Sequence, residues 1–122
     1  MGNWWLQVHD QVLGYWPTSI FTDLSNIGAT AIYWGGAIHN SRQQGNHTTT
    51  QMGSGHFPNE GFGKASYFRN IQYMDGLGKF NDIDQRQLVL SAKTPLCYGI
   101  SVVNSTNEGF GTHFYFGGPG CP

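Results

Sequence analysis

Short runs of aromatic and β-branched residues, each ended by glycine, asparagine or aspartate, are the feature that most constrains how this chain can fold. The first two runs are residues 3–8 and 11–16, which flank a turn at His9 and Asp10. Only 11% of the residues are charged, so the lysine and glutamate that usually fill the solvent face of helices are scarce. This pattern predicts short strands joined by turns, beginning with a β-hairpin.

Further runs of the same kind predict five more strands. They cover residues 29–34, 66–74, 88–91, 96–103 and 110–116. A single helical signal follows Pro17 and predicts a short helix between about residues 18 and 26. Residues 40–65 are polar and glycine-rich, and a connection of that length usually has a function or packs against a sheet. The spacing predicts an all-β fold, an antiparallel β-sandwich or part of one, in one domain over residues 1–122.

The charged residues are few and scattered, which bears on possible partners. Six basic and seven acidic side chains give a formal net charge of −1, and no basic cluster is present that could neutralise the phosphates of a nucleic acid. No apolar run approaches the ~20 residues that a membrane helix needs, and no basic and then apolar leader precedes the first strand. Neither nucleic acid nor a membrane is therefore an expected partner.

Two cysteines, Cys97 and Cys121, lie late in the chain. A disulfide between them would restrict the unfolded state and stabilise the fold by ~3 kcal/mol in the loop-entropy model, whereas the alternative is two unrelated buried thiols. Cys121 lies in a glycine- and proline-rich segment that has nothing else to anchor it, which favours the disulfide. Asn46 and Asn104 begin glycosylation sequons in polar stretches, and together with the cysteines they favour a secreted protein.

The usual signatures of metal binding or catalysis do not appear in the sequence. None of the five histidines pair at i, i+2 or i, i+4, so neither a metal site nor a cofactor is predicted. Residues 60–66 are similar to a phosphate loop, but Pro58 and Ala65 stand where that loop needs glycine and serine or threonine. Glu60 and Glu108 are the only glutamates, and the sequence alone pairs neither with a second acid on one water, as an acid hydrolase requires.

The middle of the chain, together with both of its ends, carries a resemblance to a known family. The stretches that carry it are residues 2–6, 14–17, 34–36, 40–42, 47–58, 61–70 and 113–122. In their order and spacing they resemble the neprosin family over most of the chain. The likeness is highly specific, because it runs through most of the chain in the order and at the spacing of the family.

The resemblance implies a larger antiparallel β-sandwich that plants secrete, with the late disulfide of the family at Cys97 and Cys121. Family enzymes cleave peptides after proline at acid pH, using two glutamates and a water. The resemblance also implies that this chain is the C-terminal part of such a domain and that the first catalytic glutamate belongs to the other half. The second glutamate normally follows the Trp-Gly-Gly motif, and that position is Ala37, which can neither accept nor give a proton. Glu60 is expected to be structural.

Two functions are therefore open. The first, which Ala37 favours, is a noncatalytic neprosin-type domain that binds a peptide or a proline-rich polypeptide. The candidates for its cleft are Trp34, Gln51, His56 and Tyr115. The second is a secreted, prolyl-specific glutamic endopeptidase that is completed by its upstream half or by a partner. A partial sandwich also leaves strand edges and an aromatic face without neighbours, so self-association is expected. The residues expected to build that face are Trp4, Trp5, Trp16 and Tyr115.

Overall fold

Antiparallel strands dominate the computed structural model, which describes residues 2–39, 47–103 and 109–122. Within these ranges there are seven strands: β1 (Trp4–Val8), β2 (Gln11–Trp16), β3 (Ser66–Phe68), β4 (Gln72–Met74), β5 (Phe80–Asp82), β6 (Gly99–Val102) and β7 (Phe114–Gly117). The same ranges contain one α-helix, α1 (Asp23–Asn26), and 3-10 turns at Thr18–Ile20, Pro58–Glu60 and Gln85–Gln87. Every strand pair is antiparallel, which confirms the prediction of an all-β fold.

No helix in the part of the chain that the structure describes is long and apolar enough to cross a membrane. The two asparagines predicted to carry glycans, Asn46 and Asn104, lie outside the described residues, so their use stays a prediction.

The first of two structural units, Met1–Tyr33, is built around the hairpin of β1 and β2. Trp5 lies opposite Tyr15 in the register, and the centroids of their rings are 5.0 Å apart. His9 and Asp10 connect the strands with φ angles of 47° and 61°, the left-handed conformation that a two-residue turn of this twist requires. The predicted hairpin and its turn are confirmed.

The rest of this unit departs from the sequence prediction. The helix after Pro17 is divided into Thr18–Ile20 and α1, because Phe21 between them is extended, with φ −109° and ψ 142°. The Phe21 ring packs edge-on against Trp4 with centroids 6.1 Å apart, so a tertiary contact outweighs the local helical signal. The strand predicted at residues 29–34 is not formed, because an apolar run becomes a strand only where it finds a partner to pair with.

The second unit, Trp34–Pro122, contains the other five strands. β7 is the central strand of a three-stranded sheet in the order β3-β7-β6, and β4 and β5 form a separate hairpin. The buried residues of this unit belong mainly to β7 and to the segments that pack around it. The buried apolar residues and the buried histidine are Ala65, Ile71, Cys97, Tyr98, His113, Phe114 and Tyr115.

The three-stranded sheet has two aromatic faces, because successive residues of a strand point to opposite sides. Phe114 and Phe116 of β7 lie on one side, and each of their rings is 5.3 Å from the ring of Phe68 on β3. We call this side the phenylalanine face. Tyr115 lies on the other side, 6.0 Å from Tyr67 of β3, and we call it the tyrosine face. Tyr115 is only 5% exposed, so it does not contribute to an exposed aromatic face as the sequence suggested.

The strand predicted at residues 66–74 is broken in two at Asn70. Asn70 has a φ of 50°, and its N–H donates to the Phe110 carbonyl at 2.8 Å. The left-handed conformation ends β3 and turns the chain into β4, because a ladder cannot continue through such a residue. A contact with a distant part of the chain therefore decides where this strand ends.

Three other boundaries also differ from the sequence prediction. Residues 88–91 form no strand, whereas β5 forms in a segment predicted to be a connection. The strand predicted from residue 96 begins only at Gly99, because the N–H groups of Cys97 and Tyr98 both donate to the Thr94 carbonyl in a turn.

Candidate functional site

The Trp34-Gly35-Gly36 motif approaches the phenylalanine face through Gly36. A side chain at this position would place its Cβ 2.8 Å from Met52 Cγ and 3.0 Å from Phe116 Cε2, so a residue other than glycine would require the Met52 side chain to shift. Trp34 is half-buried, while Ala37 is exposed. Because Gly36 packs against the phenylalanine face, the next residue, Ala37, also lies on this side of the sheet.

Met52 is in turn held by the segment that follows β7. The Met52 N–H donates to the Gly118 carbonyl at 3.0 Å, and the Gly118 N–H donates to the Met52 carbonyl at 3.3 Å. The backbone is so close at Gly117 that an added Cβ would lie 2.8 Å from the Met52 carbonyl oxygen, and Gly117 also has a φ of 133°. We call residues 117–121 the C-terminal strap.

A disulfide closes the C-terminal strap. Cys97 and Cys121 are bonded with their Cα atoms 4.9 Å apart, within the range that disulfide geometry allows, and this confirms the predicted pairing. The Tyr98 hydroxyl donates to the Thr50 carbonyl at 2.7 Å, and the Cys121 N–H donates to the Thr48 carbonyl at 3.0 Å. The segment that leads to Met52 is thus bound on both sides of the disulfide.

A glycine turn follows Met52 and carries one of the predicted cleft residues. Gly53 and Gly55 have φ angles of 63° and 79°, and the Gly55 N–H donates to the Met52 carbonyl at 3.1 Å. The Gln51 side chain lies across this turn, because a Cβ at Gly55 would be 2.7 Å from Gln51 Cδ. The Gln51 amide is exposed there and can donate and accept hydrogen bonds without titrating.

The Glu60 carboxylate holds the beginning of the 3-10 turn Pro58–Glu60. Its Oε1 accepts from the Phe57 N–H at 3.1 Å, and its Oε2 lies 2.9 Å from His56 Nδ1. The hydrogen bond from His56, followed by that from Phe57 and by the charges of His56 and Lys64, lowers the pKa of Glu60 below its ordinary value, because each favours the ionised form. Both oxygens are engaged, in keeping with the structural role expected for this residue.

The four residues predicted to line the cleft do not share one surface. Gln51 and His56 are exposed on the same glycine turn, and Trp34 is half-buried in the segment that packs on the phenylalanine face. Tyr115 is buried on the tyrosine face, the opposite side of the sheet. The structure therefore groups Gln51 with His56 and separates Tyr115 from the position of Ala37.

An exposed aromatic surface that was not predicted from the sequence lies on the tyrosine face. Phe62, Tyr67 and Phe110 pack together with centroid distances of 5.5 Å, 5.4 Å and 5.7 Å, and we call these three residues the aromatic ledge. The signal in the sequence is a repeat, because Asn-Glu-Gly-Phe-Gly occurs at residues 59–63 and again at 107–111. Each copy contributes one phenylalanine to the aromatic ledge.

Two residues bear on proton transfer at the phenylalanine face, Ala37 and Glu60. The methyl group of Ala37 cannot transfer a proton, and the glutamate nearest to it in sequence, Glu60, is occupied in its turn. Among residues 2–39, 47–103 and 109–122, no group of three or more His, Cys, Asp or Glu side chains could hold a metal ion. On this side of the sheet Phe114 is buried and Phe68 and Phe116 are half-buried, while Gln51 and His56 are exposed on the glycine turn.

A comparison with models of protein families gives a match to nearly the whole sequence. A family model with the description Neprosin matches residues 1–119. The matched range includes the β1–β2 hairpin, the Trp-Gly-Gly motif, both copies of the pentapeptide repeat and the beginning of the C-terminal strap.

Proposed function

Because this chain belongs to the neprosin family, we propose that it is a neprosin-type domain without peptidase activity of its own, which binds proline-containing peptides. The observation that carries this proposal is Ala37. The resemblance assigns the second catalytic glutamate to the residue after Trp34-Gly35-Gly36, and alanine stands there with its methyl group exposed. The tight contact of Gly36 with Met52 and Phe116 supports the alignment, because the motif is packed as a unit against the sheet.

Acid catalysis of peptide cleavage needs two groups with separated pKa values. One carboxylate must be ionised to activate water, and a second group must be protonated to help the leaving nitrogen. Glu60 is a poor substitute for the second role, because its lowered pKa keeps it ionised through mildly acid pH. Its two oxygens also accept from Phe57 and contact His56, which supports a structural rather than a catalytic assignment.

Binding, in contrast, needs no proton transfer. Proline rings are flat and apolar, and they pack on aromatic side chains. Phe114 is buried, but Trp34, Phe68 and Phe116 are half-buried and keep some aromatic surface that a proline can reach. A peptide backbone that lies there would find hydrogen-bonding groups at Gln51 and His56, both of which are exposed. These features support a proline-containing peptide as the partner of this surface.

We also propose that the domain acts outside the cell. The disulfide between Cys97 and Cys121 is compatible with an extracellular protein, because such bonds persist in oxidising compartments. The family membership supports the same assignment.

The test of catalysis compares the chain with Ala37→Glu and the uncharged control Ala37→Gln. Each is assayed on proline-containing peptides from acid to neutral pH, alone and mixed with the N-terminal half of an active family member. Removal of one acid or base commonly costs about 10²–10⁴ in rate, so we expect cleavage only when Ala37→Glu is combined with that half. Cleavage by the unmodified chain would contradict the proposal and support the alternative, a prolyl endopeptidase, with Glu60→Gln as the next variant.

The test of binding uses a proline-rich peptide and isothermal titration. We expect Trp34→Ala to weaken binding by about tenfold, the effect of losing one aromatic anchor, and the neighbouring Tyr33→Ala to leave it unchanged. Tyr33 is a matched control because its ring is almost fully exposed. Equal binding by both variants would show that the peptide does not bind at the segment that contains Trp34.

A further inference from the structure

The aromatic ledge is an exposed surface that packs on buried side chains. Phe62 is 65% exposed and Tyr67 is 38% exposed, although large aromatic side chains usually bury most of their area. Tyr67 packs on the buried Tyr115, and Phe110 packs edge-on against the buried His113. The exposed rings therefore rest on a second layer of buried rings, which fixes their orientation.

The two loops that present the phenylalanines share an unusual backbone. The glycines on both sides of Phe62 have φ angles of 69° and 87°, and those on both sides of Phe110 have φ angles of 85° and 53°. A residue with a side chain rarely adopts this conformation, so both copies of the repeat require their glycines. The Asn70 side chain also donates to the Gly109 carbonyl at 3.2 Å. Glycines with positive φ thus flank both phenylalanines of the aromatic ledge, and the backbone holds their rings in place without a ligand.

Two cations flank these rings. The Arg69 guanidinium lies over the Phe110 ring, 5.2 Å from its centroid. Lys64 lines a groove of about 570 Å³ along the edge strand β3, which Phe62 and Tyr67 line from the tyrosine face and Phe68 and Phe116 from the phenylalanine face. Among the described residues, ion pairs within 4 Å join only His56 to Glu60 and Arg86 to Asp84. Glu60 acts on Lys64 only from a distance, as a charge.

The arrangement restricts the chemistry of a ligand. The three rings are in contact with one another, so they form a platform and not a cage that could enclose a cation. The protein supplies the positive charge, so the ligand must supply the negative charge. β3 is an edge strand of its sheet, so an extended peptide could pair with its outer backbone groups, and an acidic peptide is the competing ligand that the experiment must exclude. Two cations on a chain of net charge −1 are also too few for the dense phosphates of a nucleic acid.

A sugar acid meets these conditions. One face of a pyranose ring carries C–H groups, which pack on the negative face of an aromatic ring, while its hydroxyls stay in water. We infer that the aromatic ledge binds an acidic polysaccharide, a chain of uronic acid residues, with sugar faces on Phe62 and Tyr67 and carboxylates directed to Lys64 and Arg69. The rings of this site lie on the tyrosine face, and its groove runs along the edge strand β3 and reaches Phe68 and Phe116 of the phenylalanine face. The proposal does not rest on the peptide binding proposed for that face.

The experiment uses the full chain and a defined oligomer of galacturonate, with the methyl-esterified oligomer as the matched probe. Esterification removes the charges and keeps the rings, so we expect the acidic oligomer to bind at least about tenfold more tightly. Phe62→Ser should weaken its binding by about tenfold or more. Lys64→Ala should weaken it severalfold and reduce its dependence on salt. Near-ultraviolet circular dichroism checks that each variant is folded.

The control variants change similar residues elsewhere in the same unit. Phe80→Ser removes another exposed phenylalanine and Lys79→Ala another lysine, and both should bind the acidic oligomer as the unmodified chain does. Four results would overturn the inference: no binding of the acidic oligomer, equal binding of the esterified one, full binding by Phe62→Ser, or tighter binding of single-stranded DNA or polyglutamate at the same residues. If Phe62→Ser fails to fold, Lys64→Ala and the two probes decide the question.

Discussion

At the scale of single residues, Glu60 shows how a side chain in a signature segment can be structural. Its carboxylate joins Phe57 and His56, and its pKa is lowered from the ordinary value of 4.5. A lowered pKa in the folded state means that the stabilisation is fully present above the ordinary value and is lost as the pH falls through the folded one. We therefore expect Glu60→Gln to loosen the turn at neutral pH and to have no effect at strongly acid pH.

Amide hydrogen exchange of Phe57 measures this effect. We expect Glu60→Gln to lower its protection by roughly two- to fivefold near pH 6, the size typical of an exposed pair. The Leu77 amide, which donates to Asp75, is the internal control and should not change. A difference at Phe57 that stays constant down to pH 3 would mean that the charge of Glu60 is not its cause.

Much at this scale could be predicted from the sequence, and the limit is physical. Ala37 could be identified because it directly follows the Trp-Gly-Gly motif. The disulfide could be identified because the chain has only two cysteines and both lie late in it. The burial of Tyr115 could not, because it depends on which segments cover that side of the sheet, and Tyr67 and His113 pack against its ring. The aromatic ledge brings Phe62 and Phe110 together from distant parts of the chain. The repeated pentapeptide marks both phenylalanines in the sequence, but it does not show that they are in contact.

At the scale of elements, the hairpin of β1 and β2 is well specified but poorly covered. Trp5 is 64% exposed and Leu13 is 57% exposed, and a two-stranded sheet keeps two open edges. We expect the chain to self-associate through this hairpin at high concentration. Leu13→Lys should raise the dissociation constant by about tenfold or more in sedimentation equilibrium, whereas Leu77→Lys, at an exposed turn, should not. A monomer at all concentrations would contradict this expectation.

The same scale shows which elements a sequence can define. The hairpin could be predicted because its turn, His9 and Asp10, and its alternation are local. The break between β3 and β4 could not, because Asn70 takes its conformation while bonded to Phe110. The strand predicted at residues 29–34 has the right composition, but a strand is stable only beside a partner. Local signals thus define the turns, and distant contacts define the strand ends.

At the scale of the whole molecule, the C-terminal strap joins parts of the second unit that are far apart in sequence. The disulfide closes the segment between Cys97 and Cys121, and we expect its reduction to lower the free energy of unfolding by about 3 kcal/mol. Urea unfolding with and without a reductant measures the difference. The double variant Cys97→Ser/Cys121→Ser should match the reduced chain and should not respond to the reductant. Equal stability of the oxidised and reduced chains would show that the hydrogen bonds of the strap are sufficient.

The C-terminal strap also determines when, during translation, the second unit can complete its fold. Met52 leaves the ribosome well before the carbonyl and N–H of Gly118 that bind it, and Cys97 leaves before the cysteine to which it is bonded. Domains generally fold as units while the chain grows, yet this unit cannot close before the codon for Cys121 has been read. A product that stops before Cys121 leaves Cys97 as a free thiol, and one that stops before Gly118 also leaves the contacts of Met52 unmade. Both are features that quality control can recognise, so native folding of this unit reports that translation has passed Cys121.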